Sequence, residues 1–284
     1  MSGIFAYAVS RNVVADNPAQ KVKMVKTAPP RQTKHATLIE VLDILDAIAD
    51  AAKAGSIPSI TAKRARAAIA LMYFGGLRPA EARGARWEDL EPVYNPDTQQ
   101  FEWRFTPRHD VWRRHITGTK TPDSVKPIPV IEPLLSILRE LREAEGSPQS
   151  GWMLKGLAGR PLNLDYLARE HIVPALKAKG IAWPTYYAMR RGAGTEVTAR
   201  TKDPLAAKGL LRHSNVATTQ AHYIKDVPEN TRLAMQLIEQ RTLALMKKRA
   251  EQAESLNHSA NIQQAGLSAG VEPSQEFSPN SSVA

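Results

Sequence analysis

Two segments of the sequence could place an arginine against a phosphate. In "GGLRPAEARGARWEDL", residues 75 to 90, Pro79 fits the first turn of a helix and puts Arg78 at its N-cap. Backbone N–H groups at a helix N-terminus favour an anion, so Arg78 would meet a phosphate there, braced by Glu81 three residues on. Taken alone, this segment is also typical of an ordinary helix start with a surface arginine.

The second segment is "TYYAMRRGAGTEV", residues 185 to 197, in which Arg190 and Arg191 are adjacent within an apolar helix. Small residues follow them at positions 192 to 194. One of the two arginines must point inward in such a helix. A buried arginine requires an anion, supplied either by the protein or by a ligand.

Two further segments carry groups that could take part in chemistry. "GTKTPDSVKPIPV", residues 118 to 130, has a turn between two strand-like runs, which places Lys120 at the lip of a hairpin, where its ammonium can reach into a cleft. "LLRHSNVATTQAHYIKD", residues 210 to 226, places His213 ten positions ahead of Tyr223 on a stretch too polar for a plain core helix. A hairpin lysine is normally just solvated, so Lys120 alone identifies no site.

The charge of the chain narrows the choice of partner. The 284 residues carry a net +10, and the last 34 contain four glutamates and no Lys, Arg or Asp, so residues 1–250 hold +14. Such a field favours an extended polyanion, either nucleic acid or an anionic membrane surface. A membrane is the weaker candidate, because no apolar run approaches the roughly 18 residues of a spanning helix.

Several familiar kinds of site are missing from the sequence. There is no cysteine, which excludes disulfides and thiolate zinc sites and fits a reducing cytoplasm. There is no GxxxxGK[ST], GxGxxG or HExxH motif, and no His/Cys cluster with metal spacing. We therefore expect neither a metal nor a cofactor.

The elements that must position these groups are mostly helical. "TLIEVLDILDAIADAAKAG" places Leu38, Val41, Leu42, Leu45 and Ile48 on one stripe, as in a half-buried helix. "FEWRFTP", "WRRHITG" and "KPIPVI" are short and β-rich, which predicts a small antiparallel sheet, and helical patterns return after them. The fold class is therefore α+β, mainly α.

The chain divides into four regions. Residues 1–20 predict a short apolar helix ending near Asn17-Pro18, and residues 21–36 form a basic linker. The main domain covers residues 37–250. Residues 251–284 have too few large apolar side chains to fold alone, so we expect a disordered tail.

The candidate groups, in their order along the chain, resemble a known family. They are the Arg in "GLRPAEARGARW", the Lys in "TKTPDSVKPIPV", the Arg in "YAMRRGAGT", the His in "LLRHSNVATTQ" and the Tyr in "AHYIK". This series resembles the catalytic domain of the tyrosine recombinases, or phage integrase family, in order and separation across residues 37–250. Each segment is weak alone, but the five in register are a strong signal.

The resemblance implies a role for each residue. Tyr223 would be the nucleophile, Arg78 and Arg190 the catalytic arginines, Glu81 a supporting carboxylate, Lys120 the hairpin lysine and His213 the second-box histidine. It also implies the fold of the family's DNA breaking and rejoining domain. Residues 1–20 resemble the last helix of the family's core-binding domain, whose remainder is missing here.

The sequence departs from the family pattern at two positions. Tyr187 stands three residues before Arg190, where the family usually has His or Lys, so one proton-transfer or phosphate contact is altered. Tyr223 follows His213 by ten residues where nine is common, which leaves His222 at the usual position of the nucleophile. We keep Tyr223, because a histidine cannot replace a phenol, and Tyr186 and Tyr187 are poorer candidates inside the arginine helix.

The resemblance implies a cytoplasmic site-specific recombinase that acts on double-stranded DNA as four protomers and requires no cofactor. A phenol attacking a phosphodiester would form a 3′-phosphotyrosine and conserve the bond energy, with Lys120 as the acid for the leaving oxygen. Two alternatives stay open. One is a topoisomerase-like enzyme of type IB that nicks and reseals DNA, and the other is a catalytically impaired DNA-binding remnant.

Overall fold

The structure, a computed structural model, describes residues 2–20, 34–96, 98–113, 115–118, 125–212 and 229–268. It divides into two compact units, Met1–Thr33 and Lys34–Ala284. In the first, helix α1 spans Ser2–Ser10 and a 3₁₀ turn spans Pro18–Gln20. The helix ends before the predicted Asn17-Pro18. The Ser10 hydroxyl donates to the Tyr7 carbonyl, and Asn12 has a φ of 55°, a left-handed conformation that cannot continue an α-helix.

The second unit is mainly helical. Its helices are α2 Leu38–Lys53, α3 Ser59–Tyr73, α4 Pro79–Arg83, α5 Leu134–Ala144, α6 Leu164–Leu167, α7 Val173–Ala178, α8 Tyr186–Thr201, α9 Pro204–Leu211 and α10 Glu229–Ser268. A π-helical turn, Ala168–Ile172, joins α6 to α7. The central helix is α3, which packs against α2, α5 and α8 and buries almost every side chain from Ala65 to Tyr73.

Helix α2 forms as its sequence pattern predicts. Thr37 caps it, with the Thr37 hydroxyl accepting from the Glu40 N–H at 3.3 Å and the Glu40 carboxylate accepting from the Thr37 N–H at 2.7 Å. All five residues of the predicted apolar stripe are buried. The prediction of a half-buried helix is therefore confirmed.

The strands form two small antiparallel sheets in the described part of the chain. They are β1 Leu90–Asn95, β2 Gln100–Phe105, β3 His109–Trp112, β4 His115–Gly118 and β5 Ile128–Val130. One sheet has the order β1-β2-β5, with Leu90 opposite Phe105 and Trp103 opposite Val130, and the other is the β3-β4 hairpin. The antiparallel prediction is confirmed, although β1 and β3 carried no clear pattern of their own.

Helix α8 approaches its neighbours closely because it carries glycine. A Cβ on Gly192 would lie 2.0 Å from the Ala36 carbonyl oxygen, and one on Gly194 would lie 2.7 Å from the Leu211 side chain. The Ala36 N–H donates to the Ala188 carbonyl at 3.0 Å. This close packing fixes the position of α8 against its neighbours, and therefore the position of Arg190 in the fold.

Helix α10 packs on its own chain. It buries Ala234, Met235, Ile238 and Thr242 and contacts α8 and α9. Its arginines form ion pairs with other elements: Arg232 with Glu102, Arg241 with Glu196, and Arg249 with Asp43 and Asp46. Part of the apolar surface of this helix is thus covered within this chain, whereas Leu233, Leu237, Leu243 and Met246 remain exposed.

The helix also continues beyond residue 251, where the sequence predicted a disordered tail. It reaches Ser268, because residues 251–268 contain no proline and a single glycine, Gly266, so a helix anchored by its first turns can propagate. The remaining domain boundaries stay predictions.

Candidate functional site

The site is built around the start of α4. Arg78 occupies the N-cap, as predicted, and its backbone N–H donates to Glu81 Oε2 at 2.7 Å. The Arg78 Nη1 donates to Glu81 Oε1 at 2.5 Å. Glu81 is buried, whereas the Arg78 side chain keeps 34% of its surface exposed. Arg78 is therefore held by Glu81 and still reaches the surface, as binding an anion requires.

Helix α8 supplies the second arginine. Arg190 points inward and is buried, and it donates through Nη1 to the Gly76 carbonyl and through Nη2 to the Leu211 carbonyl. Arg191 points elsewhere, with its Nε donating to the Lys34 carbonyl at 2.8 Å. The prediction that one of this pair is buried is confirmed.

A third arginine, which sequence reasoning missed, completes the cluster. Arg212 follows α9, and its Nη2 donates to Glu81 Oε2 at 2.6 Å. Arg190 Nη1 lies 3.6 Å from the same oxygen. The described residues thus bring three guanidiniums to one carboxylate. The sequence signal for Arg212 was a charged residue directly after the apolar end of α9.

The charges of the cluster affect one another. Burial by itself would raise the pKa of the Glu81 carboxyl, but Arg212, the Arg78 N–H, Arg190 and the Arg78 guanidinium together hold that pKa below its usual value. Burial lowers the pKa of Arg190 to about 9, against the opposing attraction of Glu81. Both groups are therefore ionised at neutral pH, and the cluster carries excess positive charge.

A second carboxyl group, Asp110 on β3, borders the cluster. Burial and then the Glu81 carboxylate raise the pKa of Asp110, while Arg78 and Arg212 oppose the rise. Its Oδ1 is buried and has no hydrogen-bond partner among the described residues. Asp110 gave no signal in the sequence, because its place depends on the packing of the β3-β4 hairpin.

Helix α4 also holds that hairpin. Arg83 donates to the carbonyls of Leu162, Val111 and Arg113 at 3.0, 3.3 and 2.9 Å. Gly84 allows β3 to pass close by, since a Cβ there would lie 2.1 Å from the His109 carbonyl oxygen. Strand β4 ends at Gly118, two residues before Lys120.

The remaining candidates fall into two groups. Lys120, His213 and Tyr223 lie outside the described residues, so their roles stay predictions. The two tyrosines at the start of α8 are described: Tyr186 is buried and its hydroxyl donates to the Leu164 carbonyl at 3.1 Å, and Tyr187 is exposed. Burial raises the pKa of Tyr186, which makes its phenol a poor nucleophile and supports its lower rank.

Two kinds of feature are absent from the described residues. Among them, no group of three or more His, Cys, Asp or Glu side chains could hold a metal ion. None of the helices within the described ranges combines the length and apolar character needed to cross a membrane.

Comparison with known proteins places the fold. It is similar to the Tn1549 transposon integrase in complex with transposon right end DNA, with a TM-score of 0.54 and 19% identity over 83% of this chain and 75% of that one. It is also similar to the XerH site-specific recombinase bound to a palindromic difH substrate, with a TM-score of 0.50 and 14% identity over 82% of this chain and 56% of that one. The chain therefore has the fold of the tyrosine recombinases and integrases.

The sequence comparison points to the same family. The chain is 31% identical over 169 residues to a tyrosine recombinase XerC of Methylobacterium sp. (strain 4-46), which covers 58% of this chain and 47% of that protein. No protein-family model matches the sequence. The chain spans about half the length of the curated recombinases it matches. It is related to the tyrosine recombinases, which confirms the family that the sequence predicted.

Proposed function

We propose that this chain is a site-specific DNA recombinase or integrase that cleaves and rejoins DNA through a 3′-phosphotyrosine intermediate, without metal or ATP. The observation that supports this most is the meeting of Arg78 and Arg190 at the buried carboxylate of Glu81. The two arginines come from distant segments of the sequence, and both were predicted as phosphate-binding groups.

The charge of the cluster favours a phosphate. Arg78, Arg190 and Arg212 supply three positive charges, and within the described residues Glu81 and Asp110 are the carboxylates that interact with them. The pKa of Asp110 is raised, which reduces its capacity to balance them. A phosphodiester at the exposed part of Arg78 would offset the remaining charge, and a planar guanidinium matches two of its oxygens.

In the proposed reaction, the phenol oxygen of Tyr223 attacks the phosphorus. A phosphorus–oxygen bond to Tyr223 forms as the bond to the 5′ oxygen of the next nucleotide breaks, so the 3′ end stays on the protein. Arg78, Arg190 and His213 would neutralise the charge that develops on the non-bridging oxygens. Lys120 would donate a proton to the leaving 5′ oxygen, and rejoining reverses these steps.

The partner in this proposal is double-stranded DNA, exchanged by four copies of the chain on paired sites in the cytoplasm. The net +14 of residues 1–250 supports a polyanionic partner. The solved structures named above are DNA complexes of related fold, which supports the same choice. Residues 37–250 would form the catalytic domain, and residues 1–20 the last helix of a core-binding domain.

Covalent trapping tests the proposal. The protein is incubated with a pool of nicked duplexes of varied sequence, in which the cleaved end is short enough to diffuse away, and adducts are isolated under denaturing conditions. We expect a covalent adduct that maps to Tyr223. Tyr223→Phe should abolish it and leave DNA affinity within a few-fold, because the ring is kept and the nucleophilic oxygen alone is lost.

Tyr94→Phe is the matched control, because it removes an exposed phenol on β1 and should leave the adduct on Tyr223. An adduct that persists in Tyr223→Phe and maps to Tyr186 or Tyr187 would refute the assignment of the nucleophile. DNA binding with no adduct from any duplex would favour the DNA-binding remnant. Cleavage and resealing without a requirement for paired sites would favour the topoisomerase-like alternative.

A further inference from the structure

Arg212 carries a long charged side chain at a backbone position that disfavours it. The residue ends α9 in the left-handed conformation, with φ 51° and ψ 45°. Glycine adopts this conformation freely and commonly follows a helix, whereas a residue with a Cβ is strained there. The side chain of Arg212, and not its backbone, is therefore the feature that the position requires.

That side chain is enclosed beneath the cluster. Its exposed fraction is 0%, its Nη2 donates to Glu81 Oε2 at 2.6 Å, and its Nη1 donates to the Leu210 carbonyl at 3.0 Å. A side chain without exposed surface cannot touch a bound phosphate. Its contact with a charged group of the cluster is the one to Glu81, so we expect the charge of Arg212 to act on such a ligand through Glu81.

The distances at Glu81 show what this contact does to Arg190. Both arginines face Oε2, but Arg212 Nη2 is at 2.6 Å and Arg190 Nη1 is at 3.6 Å. Arg190 donates instead to the carbonyls of Gly76 and Leu211. Glu81 Oε2 already accepts from Arg212 Nη2 and, at 2.7 Å, from the Arg78 N–H, so two donors stand closer to this oxygen than Arg190 does.

We propose that Arg212 is a positioning residue, which holds Glu81 Oε2 and prevents Arg190 from forming a direct hydrogen bond to that oxygen, so that Arg190 stays at its ion-pair distance and the cluster keeps surplus positive charge for a phosphate. The nature of that phosphate, a DNA phosphodiester, rests on the proposed function. The preference of the cluster for a phosphate anion does not, and it can be measured without DNA.

Three variants of the full chain separate this role from that of a helix cap. Arg212→Gly removes the charge and relieves the backbone, Arg212→Met removes the charge and keeps the length, and Arg212→Lys keeps the charge. Arg64→Met is the control, because Arg64 forms a similar pair with Glu145 away from the cluster. Circular dichroism and thermal unfolding establish that each variant folds.

The first measurement is binding of inorganic phosphate, by titration calorimetry at constant ionic strength with chloride as the competing anion. We expect the wild type and Arg64→Met to bind equally and Arg212→Gly and Arg212→Met to bind at least about 10-fold more weakly, because Arg190 moves onto Glu81. Arg212→Lys should recover part of the affinity. Wild-type phosphate affinity in a folded Arg212→Gly or Arg212→Met would overturn the proposal.

The second measurement is the single-turnover rate of adduct formation on a nicked duplex. We expect a loss of about 10²-fold in Arg212→Gly at saturating DNA, as for a misplacement of about 1 Å, with DNA affinity within a few-fold of the wild type. Equal losses in Arg212→Lys and Arg212→Met would contradict a role for the charge. If the wild type forms no adduct but the phosphate results are as expected, the proposed function fails and the positioning role stands.

Discussion

Two buried glutamates of this protein are paired with arginine in different ways. The side chain of Glu145, directly after α5, is 3% exposed and accepts from Arg64 Nε and Nη2 at 2.9 and 2.7 Å, both on Oε1. Glu81, in α4, is buried to a similar degree but has Arg78, Arg190 and Arg212 around it. The first pair joins α3 to α5, and the second gathers three segments that are distant in the sequence.

The difference lies in the charge that remains. One arginine balances the charge of Glu145 through Oε1, and the pair holds two helices together, although the buried Oε2 has no hydrogen-bond partner among the described residues. Among the described residues, three arginines at Glu81 outnumber the carboxylates Glu81 and Asp110, and burying excess charge costs free energy unless an anion binds. This surplus supports the proposed phosphate site at Glu81, whereas the balanced charge at Glu145 is typical of a structural contact.

Replacing each glutamate by glutamine tests the difference between the two sites, and we expect it to give the largest effect. Glu81→Gln should lower the free energy of unfolding by about 3–5 kcal/mol, because Arg212 is wholly enclosed and loses its countercharge. Glu145→Gln should cost less, about 1–3 kcal/mol, since the Arg64 side chain is 20% exposed and can reach water. Urea denaturation measures both, and equal costs would contradict the distinction.

The sequence predicted the parts of the site that have local signals. Pro79 marked the start of α4 and therefore Arg78 and Glu81, and the adjacent Arg190 and Arg191 required one buried guanidinium. These positions follow from the chain within a few residues of each arginine, and the structure confirms them.

The rest depended on packing. Arg212 meets Glu81 across 131 residues of sequence, and Asp110 reaches the cluster through the hairpin that Arg83 holds. Helical periodicity also could not show that α10 packs on its own chain, because an apolar face has the same pattern whichever surface covers it. Long-range pairing of this kind leaves no local pattern to detect.

Removing Arg78, the partly exposed arginine at Glu81, tests whether the cluster takes part in DNA cleavage. Arg78→Ala should slow DNA cleavage by about 10²–10³-fold, the usual cost of losing one group that stabilises a developing oxyanion. Arg64→Ala, which removes the partner of Glu145, should leave the rate of the folded protein within about twofold, as expected for a site far from the chemistry. Single-turnover cleavage of a nicked duplex gives both rates.

The same assay separates Arg78 from Lys120. Replacing the leaving 5′ oxygen by sulfur removes the need for a proton, because a thiol has a pKa of about 8.5. Lys120→Ala should therefore recover most of its rate on the sulfur substrate, and Arg78→Ala should not, since its contact is to the non-bridging oxygens. If Lys120→Ala cleaves both substrates equally slowly, Lys120 is not the general acid, and His213 is the next candidate for that role.

The smallest expected effect is the pH dependence of stability that Glu81 contributes. The pKa of Glu81 is held below its ordinary 4.5 in the folded protein, so its contribution to stability is complete above about pH 5 and is lost as the pH falls through the lower, folded pKa. Each unit of that lowering is worth about 1.4 kcal/mol. Asp89 and Asp110 act in the opposite direction, because burial raises the pKa of each.

Comparing variants isolates the contribution of Glu81 from those of the two aspartates. Free energies of unfolding measured in urea from pH 7 to pH 3 should fall less steeply in Glu81→Gln than in the wild type, with the difference confined to the range below about pH 5. If Glu81→Gln and the wild type lose stability in parallel, the arginines do not hold the Glu81 carboxylate ionised. The proposed difference in charge balance between Glu81 and Glu145 would then be wrong.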